Sequence, residues 1–298
     1  MKTDTYELVT SKILERLEAG VVPWKHYSNL RSEQSAPRNL VSGRPYHGVN
    51  YFLLSMMGHQ SPWWMTFKQA KDLGGFVRKG ERSMPIVYWN FVERTDKETG
   101  EVESIPFLKH FSVFNSEQVD GIDAKIPDLP KARGTTANQE AERIIADMPN
   151  RPAIIYGAFP IACYLPLEDT VKMTKPELCI SDDRFNEVRL HEIVHSTAHP
   201  SRLNRKKEMG GWHPFGSREY SKEELIAECG AAFLCAECGI SQATIDDSAS
   251  YIDGWIKNLK ADNKLVVSAA AKAQKACDYI LNRAEQHAEP QAQLAMAA

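Results

Sequence analysis

At 298 residues the chain is longer than one ordinary domain and short for three, which sets an expectation of two modest domains. It is 43% hydrophobic and 25% charged, and no apolar run approaches the roughly 18 residues a membrane span needs. Charges scattered through residues 1–20 leave no apolar stretch for a secretory signal, so a cytoplasmic location away from membranes is expected. Six cysteines, none in the first half, are too sparse for a disulfide scaffold, and a net charge of -3 argues neither for a wholesale nucleic-acid binder nor for a membrane-surface protein.

In chain order, Tyr6, Val9, Ile13 and Leu17 fall three and four apart, which predicts an amphipathic helix over 5–19 ended by Gly20. Residues 66–73 read as a short helix with Gly74 and Gly75 beyond its end. The β-rich runs 85–92 and 105–114 flank a polar turn at 96–100 and predict a long hairpin. The stretch from Gly121 to Thr136 has no apolar period, which divides the chain into 1–121, a linker at 122–136, and 137–298. Beyond it come a helix at 138–148, strand character at 153–156 and 162–172, and helices at 187–197, 221–237, 248–259 and 263–285. The tail from 288 is expected to fray. The fold class is therefore α+β, a small mixed N-terminal part followed by a mainly helical one.

The sharpest motif is His191-Glu192-Ile193-Val194-His195. On a helix, side chains at i and i+4 share a face, so both imidazoles can reach one Zn²⁺ at roughly 2.0–2.1 Å. Glu192 is placed to take a proton from the attacking water and hand it to a leaving amine. A histidine ten positions after His191 would complete another ligand set, but Ser201 stands there, and His199 is followed by Pro200, beyond the helix end. The third donor is sought in Glu223-Glu224-Leu225-Ile226-Ala227-Glu228, where the pattern resembles zinc peptidases whose first acid binds metal and whose second orients a histidine. Glu224 is assigned to the metal and Glu228 to the supporting position, with the reverse left open. Affinity order alone does not separate Zn²⁺ from another divalent ion such as Mn²⁺. Cys235 and Cys238 read as small apolar fillers. Residues 169–173 offer an edge strand for an extended peptide. Tyr156, Tyr164 and Tyr220 are alternative electrophilic helpers.

Residues 21–92 carry nine Lys/Arg against three acids, a local charge of +6, and 12 of the 27 Phe/Trp/Tyr. Cations that follow phosphates and rings that stack on bases are the groups that hold single-stranded nucleic acid. The proposed contacts are Arg38, Arg44, Tyr46, Asn50, Trp63, Trp64, Lys68, Arg78, Lys79, Arg82 and Trp89. About half the rings in this window are expected in the core, Phe52, Phe67 and Phe76 first among them.

Several motifs in one order resemble the ArdC-type antirestriction proteins of conjugative plasmids. In the first half these are PRNL and SGRPYHGVN within Pro37 to Asn50, WMTFKQA and GGFVRKGE within Trp64 to Glu81, and FSVFNSEQ from Phe111 to Gln118. In the second half they are HEIVHSTAHPSRLNR from His191 to Arg205, FGSREYSKEELIAE from Phe215 to Glu228, and the helix from Tyr251. The resemblance implies an N-terminal domain that binds single-stranded DNA and a C-terminal zincin-like metallopeptidase domain. It implies a protein that shields incoming plasmid DNA from host restriction enzymes, whose subunits then become partners. It carries His191, His195 and Glu224 over as ligands and Glu192 as base. Two other readings remain open, a DNA-occluding protein with a structural metal and a general cytosolic zinc peptidase.

Overall fold

The computed structural model describes residues 4–25, 36–95, 102–128, 136–205, 218–240 and 249–283; of these, the side chains of 25, 89–95, 102–107, 218–221 and 249–250 are outside the description. The polar turn at 96–100 and the tail from 288 lie outside the described residues.

Helix α1, Thr5–Glu18, starts where the Asp4 side chain accepts the Tyr6 N–H at 3.0 Å. It ends at Gly20, which adopts φ 78°, a conformation that a β-carbon disfavours. Its buried face is Val9, Ile13 and Leu17, one residue per turn. That face packs against the C-terminal helices α7, Ala249–Ala261, and α8, Leu265–Ile280. Thr10 Oγ1 donates to the Asn263 carbonyl at 2.7 Å, and the Trp24 ring meets Trp255 edge-on at 5.7 Å.

The N-terminal half is built on a four-stranded sheet of order β1-β2-β5-β4: β1 is Arg38–Asn39, β2 Trp63–Thr66, β4 Met84–Thr95 and β5 Val102–Asn115. The last two form the antiparallel hairpin expected from sequence, in register from Met84↔Val113 to Thr95↔Val102. Helix α2, Val49–Ser55, lies over this sheet, and α3, Phe67–Asp72, follows β2 directly. Thr66 and Gln69 form a capping box that starts α3. A two-stranded ribbon pairs β3, Phe76–Val77, with β6, Val119–Asp120. The expected linker is structured at its start: Ile122 is buried with Leu40, Trp63, Met65, Ala70 and Val119. Residues 129–135 lie outside the described residues.

The C-terminal half has helix α4, Ala137–Asp147, and a sheet of order β7-β9-β8, with β7 Ala153–Gly157, β8 Cys163–Leu165 and β9 Thr170–Thr174. The single run expected at 162–172 is two strands, because the chain reverses at Asp169, whose φ is 46°. Of the expected edge strand 169–173, residues 170–173 therefore fall on the central strand β9, and the edge that faces the long helices is β8. Helix α5, Asp182–Ser196, begins one turn earlier than periodicity suggested, since Ser181 caps it and Asp182 and Asp183 favour its N-terminal dipole. Helix α6, Arg218–Cys238, crosses α5 closely at Gly230, where a β-carbon would sit 2.8 Å from both Val194 methyls. Cys229, Cys235 and Cys238 are buried fillers on α6.

The halves meet without a gap. One continuous core runs from Val9 and Phe52 through Leu190 and Leu225 to Ala273, and Phe52 stacks on Phe233 at 4.7 Å. No described helix is long and apolar enough to cross a membrane.

Candidate metal centre

Helix α5 buries Leu190, Ile193 and Val194; Val194 packs on Gly230 of α6, and His191 and His195, one turn apart, face α6 beside it. There Nε2 of His191 and Nε2 of His195 face each other at 3.1 Å. Glu224 completes the triangle: its Oε2 lies 3.5 Å from His191 Nε2 and its Oε1 3.4 Å from His195 Nε2. Donors bound tetrahedrally at about 2.0–2.1 Å stand roughly 3.3 Å apart, so this spacing fits one divalent ion. His191, His195 and Glu224 are the one group of three or more such donors that converges among the described residues.

The electrostatics agree with the geometry. Burial is the largest influence on both imidazoles and opposes their charge, yet at His191 the hydrogen bond to Glu224 and the charges of Glu228 and Glu192 together outweigh it and raise that ring from its ordinary value. At His195 burial is again outweighed, here by Glu223 and Glu224 together, and the ring is lifted to about 10. Burial would raise Glu224, but hydrogen bonds from the two rings hold it well below the usual carboxylate range. The pocket attracts positive charge, which a metal ion supplies more completely than a proton.

The carboxylate beside His195 Nδ1 is Glu223, a residue that the four-residue spacing of Glu224 and Glu228 does not single out. Its Oε1 lies 3.5 Å from His195 Nδ1 and accepts from Arg205 Nη2 at 2.5 Å. Arg205, buried, also donates to the Thr197 hydroxyl and to the Val194 carbonyl, which ties this pair to the end of α5. Glu228 stays out of the three-donor group; it hydrogen-bonds the Tyr251 hydroxyl, and its charge acts on His191. Adjacent acids on a helix point about 100° apart, so Glu223 and Glu224 reach two different atoms of one ring. Supporting partners of this kind are worth 10–100-fold in metal affinity. Glu223→Gln is expected to weaken metal binding by about 10–100-fold in a calorimetric titration, and an unchanged affinity would remove Glu223 from the site.

Glu192 Oε2 accepts the Tyr164 N–H of β8 at 2.8 Å, which fixes the carboxylate between the edge strand and the metal helix. The Tyr164 hydroxyl is bound instead to Asp169 Oδ1 at 2.8 Å, and Tyr156 to Arg189 Nη1 at 3.4 Å. The Tyr220 side chain lies outside the described residues. His199 pairs with Ser201, away from the donors.

The residues expected to contact DNA divide by exposure. Tyr46, Asn50, Trp63 and Trp64 are buried and serve the core instead of a binding surface. Tyr46 and Gln69 both receive hydrogen bonds from Asn39 at 3.2 Å, a buried polar hub that no sequence period announces. Asn50 replaces a strand neighbour for Val87, donating to its carbonyl at 2.8 Å and accepting its N–H at 2.7 Å. Asn50→Ala strands both buried groups, and a loss of about 2 kcal/mol is expected in denaturant unfolding. Arg38 is half-buried on β1. Arg78 is exposed but ion-paired to Glu81 at 2.9 Å and Asp120 at 3.1 Å. The Trp89 side chain lies outside the described residues. Arg44, Lys68, Lys79 and Arg82 are exposed.

Two rings expected in the core are on the surface. Phe67 and Phe76 are 60% and 63% exposed, whereas Phe52 is buried. The inward face of α3 is Gln69 and Ala70, and β3 is a two-residue ribbon at the periphery, so neither element turns its phenylalanine inward.

Fold and site define a mixed N-terminal module joined to a zincin-like metallopeptidase domain. Residues 3–114 match the family model described as the N-terminal domain of anti-restriction factor ArdC, and residues 139–272 match that described as zincin-like metallopeptidase. The structure is similar to that of ArdC from plasmid R388, crystallised metal-free and with Mn(II). TM-scores are 0.74 and 0.73 at 33% identity, over 94% and 96% of this chain and 98% and 100% of the other. Two DNA primases named TraC from Escherichia coli are each 36% identical over 94% of this chain, which spans 27% and 20% of their lengths. The chain belongs to the ArdC family of antirestriction proteins.

Proposed function

We propose that this protein is a DNA-binding antirestriction factor whose C-terminal half hydrolyses peptide bonds. The convergence of His191, His195 and Glu224 carries this reading, with those three as ligands of a divalent ion, zinc or manganese. When bound, the ion polarises the scissile carbonyl and eases deprotonation of water. Glu192 receives the proton of the attacking water and returns it to the leaving amine. Glu223 and Arg205 keep His195 turned to the centre, and β8 offers a sheet edge along which an extended peptide can lie. Incubation of the metal-loaded chain with a peptide library tests this: metal-dependent cleavage that a chelator abolishes is expected, and a library left intact would overturn the hydrolytic part.

The N-terminal half supplies the DNA contact. Exposed Phe67 and Phe76 stand on the neighbouring elements α3 and β3, with exposed Lys68, Lys71, Lys79 and Arg82 nearby in sequence. Rings and cations together suit single-stranded DNA, and 1–121 is the module that would carry them. Each of Phe67→Ala and Phe76→Ala is expected to weaken oligonucleotide binding by about 1–3 kcal/mol with the fold intact. Affinity should also fall as salt rises, and a salt-independent affinity would exclude phosphate contact. Acting on transferred plasmid DNA in the cytoplasm, the protein would meet host restriction enzymes as its targets.

A further inference from the structure

Just past the end of the metal helix stands a cation that the chemistry above does not use. Arg202 follows Ser196, the last residue of α5, by six positions, and its side chain is buried. Its guanidinium grips Asp169 with both arms, Nη1 donating to Oδ1 and Nη2 to Oδ2, each at 2.8 Å. Nη1 also donates to the Ser196 carbonyl at 3.0 Å, and Nε to the Asn150 carbonyl at 2.8 Å. Asn150 and Asp169 both adopt φ 46°, so a single planar group pins the left-handed turns before β7 and β9 to the end of α5. A buried two-armed contact of this kind fixes direction as well as distance.

One further step takes this clamp to the reacting groups. Asp169 Oδ1 accepts the Tyr164 hydroxyl at 2.8 Å, and the Tyr164 N–H is the donor that holds Glu192 Oε2 at 2.8 Å. The contacts form a closed ring, from the last carbonyl of α5 through Arg202, Asp169 and Tyr164 and back to Glu192 on the same helix. A glutamate side chain has several rotamers, and one hydrogen bond from a fixed N–H selects among them. We propose that Arg202 is a positioning residue for hydrolysis: through Asp169 and Tyr164 it sets the main-chain N–H of β8 that aims the Glu192 carboxylate at the attacking water. This rests on the peptidase reading above.

The test uses the full chain and two variants. Arg202→Lys keeps the charge and loses the fork. Tyr164→Phe removes only the hydroxyl and leaves the ion pair whole, so it carries the test if Arg202→Lys does not fold. In the metal-free chain, deuterium exchange followed by NMR should be about tenfold faster at the amide of position 164 in either variant, with the amides of Cys163 and Leu165, which alternate towards β9, unchanged. Loaded with Mn(II), each variant should cut the peptide library about tenfold or more slowly than the parent. In a Glu192→Gln background neither should slow the residual cleavage further. Unchanged exchange at position 164, or a slowing of equal size in both backgrounds, makes Arg202 a structural ion pair and overturns the proposal while the peptidase reading stands. Faster exchange at 163 and 165 as well means that the sheet has loosened, and overturns it in the same way. A parent chain that leaves the library intact removes the peptidase reading, and the positioning role falls with it.

Discussion

His191→Ala protein is expected to purify without stoichiometric metal. The three donors lie within 4.8 Å of one another, and removal of one leaves an imidazole and a carboxylate to hold an ion that structural and catalytic sites bind through at least three groups. Loss of a supporting partner alone costs 10–100-fold, so loss of a direct donor should cost more than about 100-fold. The fold should persist, because the His191 side chain is 19% exposed and the helix is anchored by the buried Leu190, Ile193 and Val194. His199→Ala is the matched control: that ring is bonded to Ser201 and belongs to no donor group, so its removal should leave metal content intact. Elemental analysis after dialysis decides the matter. Stoichiometric metal in His191→Ala, or its loss in His199→Ala, contradicts the ligand set.

The metal half was legible because its signal is local. His191 and His195 are one turn apart on one helix, so a five-residue pattern fixes their relation before any tertiary contact forms. Glu224 is singled out by a physical demand, since a carboxylate directed from an otherwise apolar helix requires a partner, and the structure brings it to the two histidines. The division of labour among the acids was less visible. Four-residue spacing favoured Glu228 as the supporting group, but the crossing of α5 and α6 at Gly230 brings His195 Nδ1 to Glu223. Arg205, the partner that steadies Glu223, lies 18 residues away in sequence, and no periodicity connects the two. The edge strand was misplaced for a similar reason: 169–173 has strand chemistry, but which strand ends a sheet is set by pairing order, here β7-β9-β8.

The basic and aromatic window shows the limit of composition. Residue type says that a ring is present and not which side of a strand or helix it occupies. Trp63 and Trp64 sit on β2, between β1 and β5, and are covered on both faces, whereas Phe67, three residues on, begins a helix whose inner side is taken by Gln69 and Ala70. The helix α1 was placed correctly along the chain, but its partner was not apparent, because an amphipathic stripe specifies burial without naming what buries it. Its stripe closes against α7 and α8, at the far end of the sequence.

Glu192→Gln is expected to abolish peptide hydrolysis while the chain keeps its fold and its metal. The substitution preserves volume, and a glutamine oxygen can still accept the Tyr164 N–H that Glu192 now receives at 2.8 Å. It removes the one function an amide cannot supply, acceptance of a proton at neutral pH. General base catalysis contributes about 10²–10⁴-fold, so kcat should fall by that range with little change in KM, as for a group that acts mainly in the transition state. Cleavage at the parent rate would remove Glu192 from the mechanism. The same variant separates two ways of protecting DNA. If transferred plasmid DNA loses its protection along with hydrolysis, the metal centre acts on a protein of the restriction system. If protection persists, coverage of the strand by the N-terminal surface is sufficient, and Phe67→Ala or Phe76→Ala should then be the substitutions that remove it.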